Sequence, residues 1–183
     1  MEIKTFEKVS FFMVYFLKEE NMKYEIELAK IEDLDAICEL IYDRCLWFSQ
    51  KGMKGWSIDF YPNKYDKNYF REQMKINKLF VVKLEHKVCG AMLLKEEDKG
   101  YWNNDDASYY IHHLVTVIHL KGIGKKLIEF AKEQCKADYK KYLRLDCYKE
   151  STFLNDYYQR IGFTNVGSGI NGNYNYNLWE MTI

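Results

Sequence analysis

The segment Lys121-Gly122-Ile123-Gly124-Lys125-Lys126 constrains the fold more than any other, because its two flanks follow different periodicities. Upstream, Ile111-His112-His113-Leu114-Val115-Thr116-Val117-Ile118 is rich in β-branched residues and reads as a strand. Downstream, Leu127, Ile128, Ala131 and Cys135 recur at helical spacing. A strand that passes through a glycine turn into a helix aims several unpaired backbone N–H groups at one point. The helix dipole adds partial positive charge there, and Lys121, Lys125 and Lys126 add full charges. Such a turn is an anion site, most naturally one for phosphate.

The glycine spacing narrows the ligand. A P-loop needs more residues between its glycines and a Ser or Thr after its lysine, and neither is present. The dinucleotide fingerprint fails at its third glycine, where Leu127 stands. Asp146 does end a strand-like run about 20 residues on, where a ribose-binding acid would sit. Too little chain follows, however, to complete a doubly wound sheet. Any tight strand-to-helix turn also uses glycine for φ > 0, so the turn alone does not specify a ligand.

The residues that follow carry more. Tyr142-Leu143-Arg144-Leu145-Asp146-Cys147 alternates as a strand with Leu143, Leu145 and Cys147 on one face. Ser151 suits the N-cap of a short helix holding Asn155, Tyr157 and Tyr158, which stops at Gly162-Phe163. In order and spacing, the block from Tyr109 to Phe163 resembles the GNAT superfamily of acyl-CoA-dependent N-acyltransferases, and weaker similarity runs back to Tyr24. The resemblance implies an α/β fold of the α+β type: a mixed, mostly antiparallel central sheet of six to seven strands, flanked by helices on both faces. It also implies transfer of an acetyl group from acetyl-CoA, as acyl-donor co-substrate, to a primary amine by direct attack, with no metal. A non-catalytic acyl-CoA-binding or regulatory module on the same fold is the alternative.

The same resemblance assigns residues. Lys121, Gly122, Ile123, Gly124 and Lys125 would hold the coenzyme pyrophosphate through backbone N–H groups, and Leu114 and Thr116 would contact its pantetheine arm. His119 stands where the family has Arg or Gln, and the approach to the turn is about two residues short. Tyr158 corresponds to the tyrosine that protonates the departing thiolate, and Asn155, on the same helical face, to a coenzyme contact. A base for the amine is less plainly marked. His112 and His113 are the candidates, and in a regular strand they point to opposite faces. Asp105 and Asp106 could attract a cationic acceptor, and Trp47, Trp56 and Tyr61 lie in the region that forms the acceptor side. The resemblance implies a small-molecule or peptide amine as acceptor.

Composition bounds the rest. Lys+Arg and Asp+Glu balance at 27 each, so no global charge draws the chain to nucleic acid or an anionic membrane. The five cysteines (Cys38, Cys45, Cys89, Cys135, Cys147) form no C-x-x-C pair and fall mostly at apolar positions, which suits buried thiols in the cytoplasm. Aromatics at 17%, with 16 Tyr, suit a pocket lined with rings. Val9 to Leu17 is an apolar run too short to span a bilayer, so residues 1–22 are expected to be an N-terminal extension, and 23–183 the acyltransferase domain. That run and the aromatic content leave a homodimer open.

From Tyr24 the chain reads β-α-α-β-β-β-α-β-α-β-β. Residues 53–67, with the lone Pro62, read as a loop or broken helix, and residues 167–177 (GSGINGNYNYN) as a loop or hairpin turn.

Overall fold

A computed structural model describes residues 24–103 and 106–183; the expected extension over residues 1–22, with its apolar run, and Asp105 lie outside the described residues. Seven strands form one sheet in the order β1-β2-β3-β4-β5-β7-β6. They are β1 (Tyr24–Leu28), β2 (Lys78–Leu84), β3 (Lys87–Lys95), β4 (Ser108–Thr116), β5 (Tyr142–Tyr148), β6 (Thr164–Asn171) and β7 (Tyr174–Thr182). Every neighbouring pair is antiparallel except β4 and β5. This is the mixed, mostly antiparallel sheet expected from sequence.

Helices cover both faces. A 3-10 turn (Ile31–Asp33) leads into α1 (Leu34–Gln50), followed by the one-turn α2 (Tyr61–Lys64) and by α3 (Lys67–Ile76), capped by Asp66, which accepts from the Tyr69 N–H. Their apolar stripes pack with Val81, Ala91, Leu93 and Val115 on one face of the sheet, here the front. On the back, α4 (Ile123–Ala137) and α5 (Thr152–Arg160) pack with Phe80, Met92, Ile111, Leu143, Leu145 and Trp179. The contact of α4 with β3 is close: a Cβ on Gly90 would stand 3.0 Å from Ile123 Cγ2 and 3.2 Å from the Val115 carbonyl. Only glycine lets the helix approach so near.

Two local expectations change. Of the two readings of stretch 167–177 the hairpin holds and the loop does not, and the strands run further into it than a turn alone would allow, with Gly169 opposite Tyr176 and the turn at Gly172. Cross-strand pairing and the β-favouring tyrosines outweigh the loop-like composition. Ser151 holds the N-cap position of α5, but its side chain makes no capping bond.

Candidate active site

β4 and β5 pair only from Ser108↔Tyr142 to Ile111↔Leu145. Beyond that point β4 runs on to Thr116 and β5 to Tyr148 with no ladder between them among the described residues. The sheet therefore opens into a wedge in its middle, with α4 starting just past the open end of β4.

Gly122 is the N-cap of α4 at φ +83, and no side chain caps the helix. The first intrahelical donor is Lys126 to Gly122 O at 3.1 Å, so the amides of Ile123, Gly124 and Lys125 lack helical partners. A Cβ at Gly122 would meet nothing within 4 Å, and one at Gly124 only the Tyr157 hydroxyl at 3.8 Å. Ile123 is fully buried and anchors the turn, while His119, Lys121 and Lys125 stand exposed around it. These features fit a phosphate-bearing ligand: free amides, a positive dipole end, open space and a cationic rim. Tyr157, given no role in the site from sequence, adds a hydroxyl beside Gly124. Along the wedge, Leu114 packs on the back core, and the Thr116 carbonyl accepts from Arg44 Nη2 at 2.9 Å.

Asn155, expected from sequence to contact the coenzyme, is engaged within the fold. Its Nδ2 donates to the carbonyls of Tyr148, Lys149 and Ser151, and its Oδ1 accepts from Asn177 at 2.8 Å and Trp179 at 3.2 Å. Both ends of the amide are engaged in tying α5 to β5 and β7.

The two histidines also differ from expectation. His112 lies opposite Leu93 and Val115 opposite Ala91, and both partners belong to the front core. Between these pairs two residues of β4, His113 and Leu114, face the single Met92 of β3, a bulge that puts His113 at φ +50. The extra residue turns both imidazoles to the front, with ring centroids 6.1 Å apart. His113 is buried among Tyr61, Tyr65, Tyr69 and Phe70. Its Nδ1 lies 2.7 Å from the Tyr61 hydroxyl and its Nε2 3.0 Å from that of Tyr69. One tyrosine donates to the bare nitrogen and the other accepts from the ring N–H. Burial, and then the neighbouring His112, hold the His113 pKa well below the ordinary histidine value. It is a neutral structural bridge with no nitrogen to spare.

His112 is placed differently. Its Nε2 bonds Asp98 Oδ2 at 3.0 Å, and no bond among the described residues engages its Nδ1. Asp146, the first residue of β5 past the last β4–β5 pair, completes a group whose ligand atoms all lie within 4.8 Å of one another. That set could hold a divalent ion; the hydrogen bond from His112 to Asp98 joins two of its members without one. Burial raises the pKa of Asp146, and a bond from the Tyr174 hydroxyl at 2.6 Å opposes the shift.

Tyrosines wall this group on two sides. Trp56 stacks on Tyr61 at 4.4 Å, and Tyr61 meets Tyr65 at 4.5 Å. Across the wedge Tyr174 stacks between Tyr148 and Tyr176, and Tyr101 meets Tyr176 edge-on at 4.8 Å. Burial first, and after it neighbouring charges that include Asp146, raise the pKa values of Tyr61, Tyr101, Tyr158 and Tyr174. Sequence reading placed Trp56 and Tyr61 here; Trp47 instead packs on Phe48 and Arg44 of its own helix. Asp98 and Tyr101 come from the loop after β3 and had no local signal.

Asp106 has a different task from the one expected of it. It binds Arg144 Nη2 at 2.7 Å, and Arg144 also bonds Glu180 and the Tyr110 hydroxyl while lying over Trp102 and Tyr142. This buried hub closes the front of the sheet beside the cleft.

Tyr158 packs against the unpaired end of β5, near Cys147, Trp179 and Phe163. It is 8% exposed, and no hydrogen bond among the described residues engages its hydroxyl. Burial pushes its pKa far up, so the phenol keeps its proton.

Comparison with known proteins agrees with this geometry. A family model described as acetyltransferase (GNAT) domain matches residues 48–176. The uncharacterized N-acetyltransferase YesJ of Bacillus subtilis is 25% identical over 163 residues, covering 85% of this chain and 88% of that protein. A GNAT-family acetyltransferase structure from Listeria monocytogenes superposes with a TM-score of 0.73 at 24% identity, over 87% of this chain and 95% of that one. The PaiA N-acetyltransferase of Thermoplasma acidophilum, solved in complex with coenzyme A, gives 0.71 at 18% identity, over 88% and 100%.

Proposed function

Since the chain belongs to the GNAT acetyltransferase family, we propose that it moves an acetyl group from acetyl-CoA to the nitrogen of a primary amine by direct attack in the β4–β5 wedge. The observation that carries this reading is the wedge itself. It has an uncapped, glycine-led helix start at its open end and an unengaged tyrosine hydroxyl beside its unpaired β5 wall.

The amides of Ile123, Gly124 and Lys125 would hold the pyrophosphate of acetyl-CoA, with Lys121 on the rim and the Tyr157 hydroxyl beside Gly124. Acetyl-CoA supplies an activated thioester; the rest falls to side chains. An amine is protonated at neutral pH and must lose that proton before it can attack. His112 takes this role in preference to His113, because Asp98 fixes a proton on Nε2 and leaves Nδ1 to accept one. Asp98 then steadies the imidazolium. As the C–N bond forms and the C–S bond breaks, Tyr158 donates its proton to the sulfur, and solvent restores it. The protein's free cysteines accord with a cytoplasmic setting.

Tyr158→Phe keeps the ring and removes the proton. Turnover is expected to fall about 100-fold, with KM for acetyl-CoA changed less than about threefold. The readout is thiol release with an amine panel, and unchanged kcat would remove Tyr158 from the mechanism.

A further inference from the structure

The floor of the wedge says what kind of amine it takes. Asp98, His112 and Asp146 converge there, two carboxylates on one imidazole. Even with His112 protonated the group keeps a net negative charge. The charges acting on Asp146 come from His112 and Asp98, and no Lys or Arg forms an ion pair with either carboxylate among the described residues. The nearby cations are placed elsewhere. Arg144 is held between Asp106 and Glu180. Lys64 lies over the rings of Phe60 and Tyr65.

A negative floor walled by electron-rich rings is the chemistry that recognises an ammonium group. Tyr61 and Tyr65 stand on one side, and Tyr101, Tyr174 and Tyr176 on the other. A second observation points to the same place. Tyr158, 8% exposed and with no hydrogen bond to its hydroxyl among the described residues, packs in the cluster that holds Cys147, the residue next to Asp146. Proton donation by Tyr158 and the pull of the two carboxylates then call for the reacting nitrogen between them.

We propose that the acceptor is a decarboxylated amine: a primary amine on an alkyl or aryl skeleton with no carboxylate beside the nitrogen. This rests on the acetyl-transfer reading above and adds the substrate class. In an α-amino acid the carboxylate is fixed one carbon from the nitrogen, which would bring a third negative charge against Asp98 and Asp146. The same amine without that group meets only attraction and ring faces.

Matched pairs test this directly. The intact protein is given acetyl-CoA with tyramine or tyrosine, phenethylamine or phenylalanine, and cadaverine or lysine, and thiol release is followed. The decarboxylated member of each pair is expected to have the higher kcat/KM, by about 100-fold. Asp146→Asn should narrow that gap at least about tenfold, while a thermal melt confirms that the variant is folded. Equal turnover within the pairs, or preference for the amino acids, overturns the substrate class and leaves acetyl transfer standing. A gap that Asp146→Asn leaves unchanged overturns the role of the carboxylate floor. No thiol release from any amine overturns the acetyl-transfer reading, and the substrate class with it.

Discussion

Replacing Asp146 by Asn removes one charge from the wedge floor and keeps an oxygen able to accept from Tyr174, now bonded at 2.6 Å. The ligand oxygens of Asp146 and Asp98 lie within 4.8 Å of each other, and at an effective dielectric of about 20 that repulsion is worth about 3 kcal/mol. Burial of the Asp146 carboxylate adds a desolvation penalty, and the neighbouring His112 offsets part of the total. A net stabilisation of about 1–2 kcal/mol at neutral pH follows, or about 3–6 °C in Tm for a domain of this size.

The pH dependence gives the sharper test. The folded pKa of Asp146 is raised above its unfolded value. In the wild type the penalty is therefore absent below the unfolded value of about 4 and fully present above the folded one. Thermal melts followed by circular dichroism should show the variant ahead at about pH 7.5 and level with the wild type near pH 4. A variant that melts at or below the wild type at neutral pH, or by an offset that ignores pH, would refute the reasoning. The gain in stability should come with a loss of activity, because the charge that strains the fold is the one proposed to receive the amine.

Two other changes probe the frame around the site. Asn155→Ala strips partners from three carbonyls and from the donors of Asn177 and Trp179. A loss of about 2–3 kcal/mol is expected in urea unfolding; a loss below about 0.5 would show the knot to be idle. His113 is held neutral when folded but titrates near 6.5 when unfolded, so its stabilisation is present above that value and lost as pH falls. Between about pH 7.5 and pH 5 this loss is about 2 kcal/mol, and His113→Gln should flatten it. An equally steep acid slope in the variant would assign the effect to other groups.

Much of the frame was legible in the sequence because it is local. The β-branched run, the glycine turn and the apolar stripe of Leu127, Ile128 and Ala131 announce strand, turn and helix within one stretch of chain. The helix that carries Tyr158 was legible through its stop at Gly162-Phe163. What escaped depends on distant pairing. The bulge at His113 arises from register against β3, and it alone puts both histidines on one face. Asn155 looks like a helix-surface residue until Asn177 and Trp179 arrive from β7. Asp98 and Tyr101 lie in a loop with no periodicity and acquire their meaning only against His112 and Tyr174. A hairpin turn within residues 167–177 was one reading open in the sequence, but the length of its strands was hidden by glycine and asparagine, whose loop-like composition cross-strand bonds overcome.

The central claim is acetyl transfer in the wedge, and one measurement reaches it most directly. Wild-type protein is mixed with acetyl-CoA and tyramine, and both the free thiol and the acetylated amine are quantified over time. The account expects the two products in equal amounts, growing with enzyme concentration and falling about 100-fold in Tyr158→Phe. Thiol release without acetylated amine, or no release at any amine concentration, would contradict it.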